Sequence, residues 1–210
     1  MFNFNNIFFE IHIKKIFLQR SQIIEQGGKL ILDEGIVTNV CGNFWQGIEV
    51  WGNKNASQYT PGAQGIVELK NGTVIENALQ AIRTIKVNPD GTWDWNYTGG
   101  IIRADGAIFR NNKNGIWFGS YHNFRVHPNT GIKYSRPNIS YIYNCIFETT
   151  NAYLDISKPP YEFIGLVDVE GIKIMGTTFK NTNTTLTGSA KGEPVAVHGT
   201  GRSDKQIMIV

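Results

Sequence analysis

The sequence predicts an all-β chain: a single-stranded, right-handed parallel β-helix, or solenoid, of about five coils. Three observations lead there. Short runs alternating apolar and polar residues recur along the chain, separated by Gly and Asn; this is the period of strands and excludes an amphipathic helix. One pattern is written again and again: a small residue, any residue, a large apolar residue, a polar one and then, in most copies, Asn. It appears as Thr73-Val74-Ile75-Glu76-Asn77, Ala107-Ile108-Phe109-Arg110-Asn111, Cys145-Ile146-Phe147-Glu148-Thr149 and Thr177-Thr178-Phe179-Lys180-Asn181, with a weaker copy at Ile36-Val37-Thr38-Asn39-Val40. The apolar anchors fall at 75, 109, 147 and 179, so the steps are 34, 38 and 32 residues. A strand unit of that size cannot bury a face alone and must stack on its neighbours, which is why this period marks a solenoid.

Taken in order, residues 1–20 (MFNFNNIFFEIHIKKIFLQR) stand outside the repeat. Glu10, His12, Lys14 and Lys15 interrupt the apolar run a secretory signal would need, no small-residue cleavage site follows, and the run is too short to span a membrane. The segment reads either as translated sequence upstream of a truncated gene or as an amphipathic N-terminal cap. The parallel β-helix is expected over residues 21–210. Each anchor is preceded by a strand, as in Lys29-Leu30-Ile31-Leu32 or Gly65-Ile66-Val67-Glu68-Leu69. Each is followed by another: Gly47-Ile48-Glu49-Val50-Trp51, Ala81-Ile82-Arg83-Thr84-Ile85, Gly115-Ile116-Trp117-Phe118, Ala152-Tyr153-Leu154-Asp155 and Pro194-Val195-Ala196-Val197-His198. The last stretch, Gln206-Ile207-Met208-Ile209-Val210, is apolar and has no polar cap, so the chain is expected to be a fragment lacking caps.

Within each unit the small residue, the anchor and the Asn share one parity and face one side. If that side is the interior, Ile75, Phe109, Phe147 and Phe179 form a core stack. Asn77, Asn111 and Asn181 then form a ladder at an inside corner, hydrogen-bonding one another and the turn backbone. The alternative is that these Asn are ordinary exposed turn formers.

Several stretches carry a likeness to known proteins: GGKLILDEG (27–35), FWQGIEVWGN (44–53), GIVELKNGTVIENA (65–78), GGIIRADGAIFRNN (99–112) and VEGIKIMGTTFKNT (169–182). In these the chain resembles the right-handed parallel β-helix proteins of the pectin-lyase-like superfold and, more narrowly, repeat regions of large secreted or cell-surface bacterial proteins. The resemblance covers residues 21–210. It implies the fold and leaves activity open, because that fold hosts lyases, hydrolases, adhesins and inert stalks.

Charge narrows the partners. The net charge is +3, and Lys14, Lys15 and Arg20 against Glu10 place +2 of it before the repeat, so a basic patch for nucleic acid is not expected. Cys41 and Cys145 lie about three coils apart, too far to bridge; Cys145 fills the slot of Thr73, Ala107 and Thr177 and reads as a small core residue. His12, His122, His127 and His198 are too dispersed for a metal site or a triad, and no metal-ligand spacing or cofactor motif appears.

Longer segments separate the units: 53–64, 88–98, 122–137 and 157–162, leaving the solenoid at equivalent points, and 183–193, leaving elsewhere. The first four carry aromatic rings, with Tyr59, Trp93, Trp95, Tyr97 and Tyr134 the candidate ligand-binding set, beside His122, Phe124 and Tyr161. Rings on loops above a rigid scaffold suit stacking against sugar rings; equally, they could fold back over the sheet edges. No catalytic residue is assigned. Outward acids (Glu49, Glu68, Asp105, Glu148, Asp155, Asp168) are scattered, and Arg83-Thr84-Ile85-Lys86 and His198-Gly199-Thr200-Gly201 lie coils apart, whereas acid/base work needs groups within a few ångströms. The expected function is therefore a non-catalytic structural or adhesive β-helix, secreted or on the cell surface, with a glycan or cell-surface polysaccharide as partner. The alternative is a polysaccharide lyase or glycoside hydrolase of the same fold.

Overall fold

The computed structural model describes residues 3–4, 8–11, 15–40, 42–157, 159–186, 195–200 and 208–209. The chain is a parallel β-solenoid of about five turns. Its strands visit three sheets in rotation. The first sheet takes Asn3–Phe4, Gln22–Ile24, Ile48–Val50, Ile82–Arg83, Ile116–Phe118, Glu162–Val167 and Val195–Thr200. The second takes Phe8–Ile11, Lys29–Asp33, Ile66–Lys70, Ile101–Asp105, Tyr141–Tyr143, Lys173–Met175 and Met208–Ile209; the third takes Lys15–Leu18, Ile36–Asn39, Val74–Glu76, Ile108–Arg110, Ile146–Thr149 and Thr178–Asn181.

Every pairing within these three sheets is parallel and in register, and the register explains the sequence pattern. Val37, Ile75, Phe109, Phe147 and Phe179 are successive partners on the third sheet. The rings of Phe109 and Phe147 stack at 4.5 Å between centroids, and those of Phe147 and Phe179 at 5.3 Å. Ile48, Ile82, Ile116 and Ile164 make the matching column on the first sheet, and Leu32, Leu69, Ala104, Ile142 and Ile174 on the second. The three columns meet in one buried cluster. Thr73, Ala107 and Cys145 are buried beside it, and burial pushes the Cys145 thiol up to about 12, so it stays a neutral packing group. Cys41 lies outside the described residues.

The corner between the second and third sheets is sharp because a left-handed residue sits there in each of five successive coils: Glu34 (φ 56°), Asn71 (49°), Gly106 (70°), Asn144 (51°) and Gly176 (59°). Only Gly, and to a lesser degree Asn, adopts that conformation cheaply, which accounts for their recurrence at this point. Asn71 and Asn144 also donate to Asp33 and Asp105 of the coil below, at 2.7 and 2.9 Å.

At the opposite corner the Asn pattern is not a continuous ladder. Asn77 donates to Asn39 at 2.9 Å, but Asn111 bonds Thr150 instead, and Asn181 accepts from its own neighbour Asn183 N. The Oδ1 of Asn77 is buried without a partner. Asn112, one residue along, makes the deeper link, accepting from Ala78 N and donating to Ile75 O. The Asn share a parity, but the residue each meets in the neighbouring coil differs, Asn39 for Asn77 and Thr150 for Asn111.

Within residues 1–20, the described stretches Phe8–Ile11 and Lys15–Leu18 pair in parallel with Lys29–Asp33 and Ile36–Asn39, and Asn3–Phe4 with Gln22–Ile24. Two further expectations change. Ala152-Tyr153-Leu154-Asp155 is a turn, and the strand of that coil on the first sheet is Glu162–Val167. The segment expected at 157–162 therefore leaves between the third and first sheets, whereas 53–64, 84–100 and 119–140 leave between the first and second.

Outside the third sheet, Glu76, Arg110, Glu148 and Lys180 form a row of alternating charge in register. Arg110 Nε reaches Glu148 at 2.6 Å and Lys180 Nζ at 2.8 Å. Burial pushes the Glu148 carboxyl up, but the hydrogen bonds and charges of Lys180 and Arg110 outweigh it and hold the group below its ordinary value of 4.5.

Two outcomes follow from this packing. Phe147→Ala removes a fully buried ring from the middle of the column and is expected to destabilise by about 3–5 kcal/mol, more than Phe179→Ala at its partly exposed end, in urea unfolding; equal effects would contradict the column. A carboxyl depressed in the folded state stabilises the fold fully above its unfolded value and loses that contribution as pH falls through the folded one. The stability gap between wild type and Glu148→Gln should thus be present at pH 7, modest because Lys180 is solvated, and should close as pH drops below 4.5. A gap that ignores pH would contradict the ion-pair row.

Candidate functional site

The outer face of the first sheet carries a second register row: Glu49, Arg83, Trp117, Gly165 and His198 on consecutive strands. Trp117 lies between two inward residues, Ile116 and Phe118, and Glu49 likewise between Ile48 and Val50. At one end Glu49, almost fully buried, is held by Arg83 at 2.7 Å and accepts from Trp51 Nε1 and Val87 N at 2.9 and 3.1 Å. With three donors on it, this carboxylate is a structural anchor. Arg83 keeps one buried nitrogen, Nε, without a partner.

Trp117 lies across the middle. A Cβ on its register partner Gly165 would collide with Trp117 Cδ1 and with Glu162 Oε1, so glycine there lets indole and carboxylate approach over bare backbone. Glu162, buried, meets His198 Nδ1 at 3.0 Å, and the exposed Tyr161 ring stands edge-on to that imidazole at 6.1 Å.

The segment after Ile82–Arg83 covers this row. Lys86–Val87 pairs antiparallel with Trp93–Asp94 through a turn in which Gly91 takes φ 84° and Asp90 accepts from the backbone N and hydroxyl of Thr92. Asp94 then caps the short 3-10 turn Trp95–Tyr97. The hairpin folds over the sheet, setting Trp93 at 4.7 Å and Trp95 at 6.1 Å from Trp117 between ring centroids. Both indoles keep a large exposed face, 47% and 40%. Tyr97 turns the other way, packing on Trp51 at 5.4 Å under the Lys86 ammonium, and acts as a cover.

The result is a groove of about 230 Å³ lined by Ile85, Trp93, Trp117 and Tyr161 with Gln80, Arg83, Asn114 and Glu162. Gln80 and Asn114 donate their amide nitrogens to Gly115 O and Leu79 O, and no described residue donates to either side-chain carbonyl. Two acceptors, an acid and a guanidinium thus edge a patch of indole.

The five aromatic residues singled out in the sequence do not converge. Trp93 and Trp95 are at the groove and Tyr97 is beneath the hairpin. Tyr59 lies in a different depression with Arg125 and Arg136, and Tyr134 is exposed near His127. The reason is that segments 53–64 and 119–140 lock to each other across two coils, with Tyr121 donating to Ala56 O at 2.7 Å, Asn123 accepting from Gln58 N and Ser57 bonding Phe124 O. The segment between them is left to fold over the sheet. Sequence reasoning missed Trp117 and Glu162. The parity of Ile116-Trp117-Phe118 was the available signal for the first; the second was hidden by the misplaced strand.

Among the described residues no group of three or more His, Cys, Asp or Glu is placed to hold a metal. Of the buried acids, Glu68 and Glu148 sit on the second and third sheets, each ion-paired, and Glu49 and Glu162 share the first sheet, where Glu49 is held by Arg83 and Glu162 by His198. Among the described residues, no helix is long and apolar enough to cross a membrane. The chain matches no protein-family model, no curated protein and no solved structure.

Proposed function

We propose that this β-solenoid is a non-catalytic, glycan-binding element of an exported or cell-surface protein, and that it holds sugar at the groove over the first sheet. One observation supports the reading above the others: two indoles are held half-exposed against a third by a hairpin whose two strands pair with each other and with no strand of the three stacked sheets. Flat apolar rings match the CH face of a pyranose, while the unbonded carbonyls of Gln80 and Asn114 and the edge of Arg83 suit its hydroxyls. At about 230 Å³ the groove is smaller than drug-sized clefts, which start near 300 Å³, and suits one ring of a longer chain that runs on over the exposed Trp95 and Tyr161.

A second reading, a carbohydrate-active enzyme, draws on Glu162 and His198 in the same row. Glycoside hydrolysis asks for two carboxylates facing one bond. Glu162 is the one acid among the groove's described lining, and Glu49 is fully engaged with Arg83, Trp51 and Val87. The groove therefore favours binding.

A glycan array followed by calorimetry on the best ligand tests this. Wild type is expected to bind, and Trp93→Ala/Trp95→Ala to lose about fivefold or more in affinity, in line with about 0.5–1.5 kcal/mol per aromatic contact. Glu162→Gln is expected to release no product from any bound glycan, like the wild type. Absence of glycan binding, or binding indifferent to the double substitution, would overturn the proposal. Turnover by wild type that vanishes in Glu162→Gln would establish the enzyme instead.

A further inference from the structure

The geometry points to a second binding site on this chain, separate from the indole groove: a receptor for a tetrahedral oxyanion ester, a sulfate or phosphate carried on a ring, formed by Arg125, Arg136 and Tyr59. The site rests on the hairpin Phe124–Val126 with Lys133–Ser135. Its antiparallel register places Arg125 opposite Tyr134 and Phe124 opposite Ser135, and Arg136 N donates to Asn123 O at 2.9 Å, extending the ladder by one pair. Cross-strand partners share a face, so Arg125, Tyr134, Asn123 and Arg136 lie on one side of the hairpin, with the two arginines as diagonal neighbours. Diagonal positions are roughly 7–8 Å apart, within reach of long side chains aimed at one ligand. The other side is occupied otherwise, Lys133 lying over the Phe124 ring at 4.2 Å and Ser135 donating to Glu170.

Both arginines line one open depression of about 450 Å³, together with Tyr59 from segment 53–64, a residue left 57% exposed. Among the described residues neither arginine is in an ion pair, whereas the three arginines on the faces of the stacked sheets, Arg83, Arg103 and Arg110, are each paired with an acid. Two like charges side by side without a carboxylate repel, and a bound anion relieves that. One carboxylate offers a single charge and two oxygens to two bidentate forks. A sulfate or phosphate ester offers three free oxygens, and a phosphate up to two charges, which matches the pair better. The phenol face of Tyr59 then receives the ring that bears the ester. The hairpin is held rigidly for this, since Ser57, Gln58 and Tyr121 fasten segment 53–64 to segment 119–140.

Calorimetry on the full chain with glucose 6-phosphate, glucose 6-sulfate, inorganic phosphate, inorganic sulfate and unsubstituted glucose tests the inference. The sugar esters are expected to bind and to weaken as salt rises. Arg125→Gln/Arg136→Gln should lose at least tenfold, and Tyr59→Ala should weaken the esters while leaving inorganic phosphate unchanged. Trp93→Ala/Trp95→Ala should leave all of these affinities intact, which keeps this site distinguishable from the groove. No ester binding by wild type, or binding unaltered by the double arginine substitution, would overturn it, as would esters binding no better than the inorganic ions. Both arginines are exposed, and an unchanged thermal midpoint in the variants confirms that they fold.

Discussion

Parallel, in-register stacking of one coil on the next is the constraint on which everything else rests. Backbone N–H and C=O groups of a strand in this fold find partners only in the coils above and below. A residue that points inward in one coil therefore forces an inward residue at the same place in the next. That requirement writes the columns Ile75–Phe109–Phe147–Phe179 and Ile48–Ile82–Ile116–Ile164. It also places left-handed residues at one corner, from Glu34 through Gly176. Stacked aromatic and branched side chains then bury apolar area coil by coil, at roughly 25 cal/mol per Å² removed from water.

The same register works on the outside. Row by row it brings Glu76, Arg110, Glu148 and Lys180 into an alternating ladder, and it groups Lys29, Glu68 and Arg103 on the second sheet. The first sheet breaks this habit. Its outer row runs from the Glu49–Arg83 pair to an indole, a bare glycine and the Glu162–His198 pair, and a hairpin covers it with two further indoles. Three indoles gathered over one sheet face by a covering hairpin are the feature that singles out the groove.

What could be read from the residues divides along the same line. The anchors and their small neighbours were legible because inward parity is imposed on every coil and shows as a period. Corners were less so: that Asn77 reaches back to Asn39, and that Asn112 rather than Asn111 bonds across to Ala78 and Ile75, depends on which side chain the next coil presents there, which no period records. Residues 1–20 break the apolar alternation at Glu10, Lys14 and Lys15, yet Phe8–Ile11 and Lys15–Leu18 pair with the repeat, because strand pairing asks only for backbone groups in register. The strand at Glu162–Val167 was displaced by a long turn before it. The aromatic set was found by composition, but its division into a groove and a cationic depression follows from segment 53–64 reaching across two coils to 119–140, a tertiary choice with no local signal.

The central claim is the stacking register, and disulfide trapping reads it directly. In a Cys41→Ser/Cys145→Ala background, Tyr143→Cys with Met175→Cys places two thiols on outward register partners of adjacent parallel strands, within the separation of about 4.4–6.8 Å between Cα atoms that a disulfide spans. Tyr143→Cys with Lys173→Cys moves one of them two residues along the strand. The first pair is expected to oxidise rapidly within one chain and the second to remain reduced under the same conditions. Equal trapping of both, or trapping of the offset pair alone, would contradict the stack.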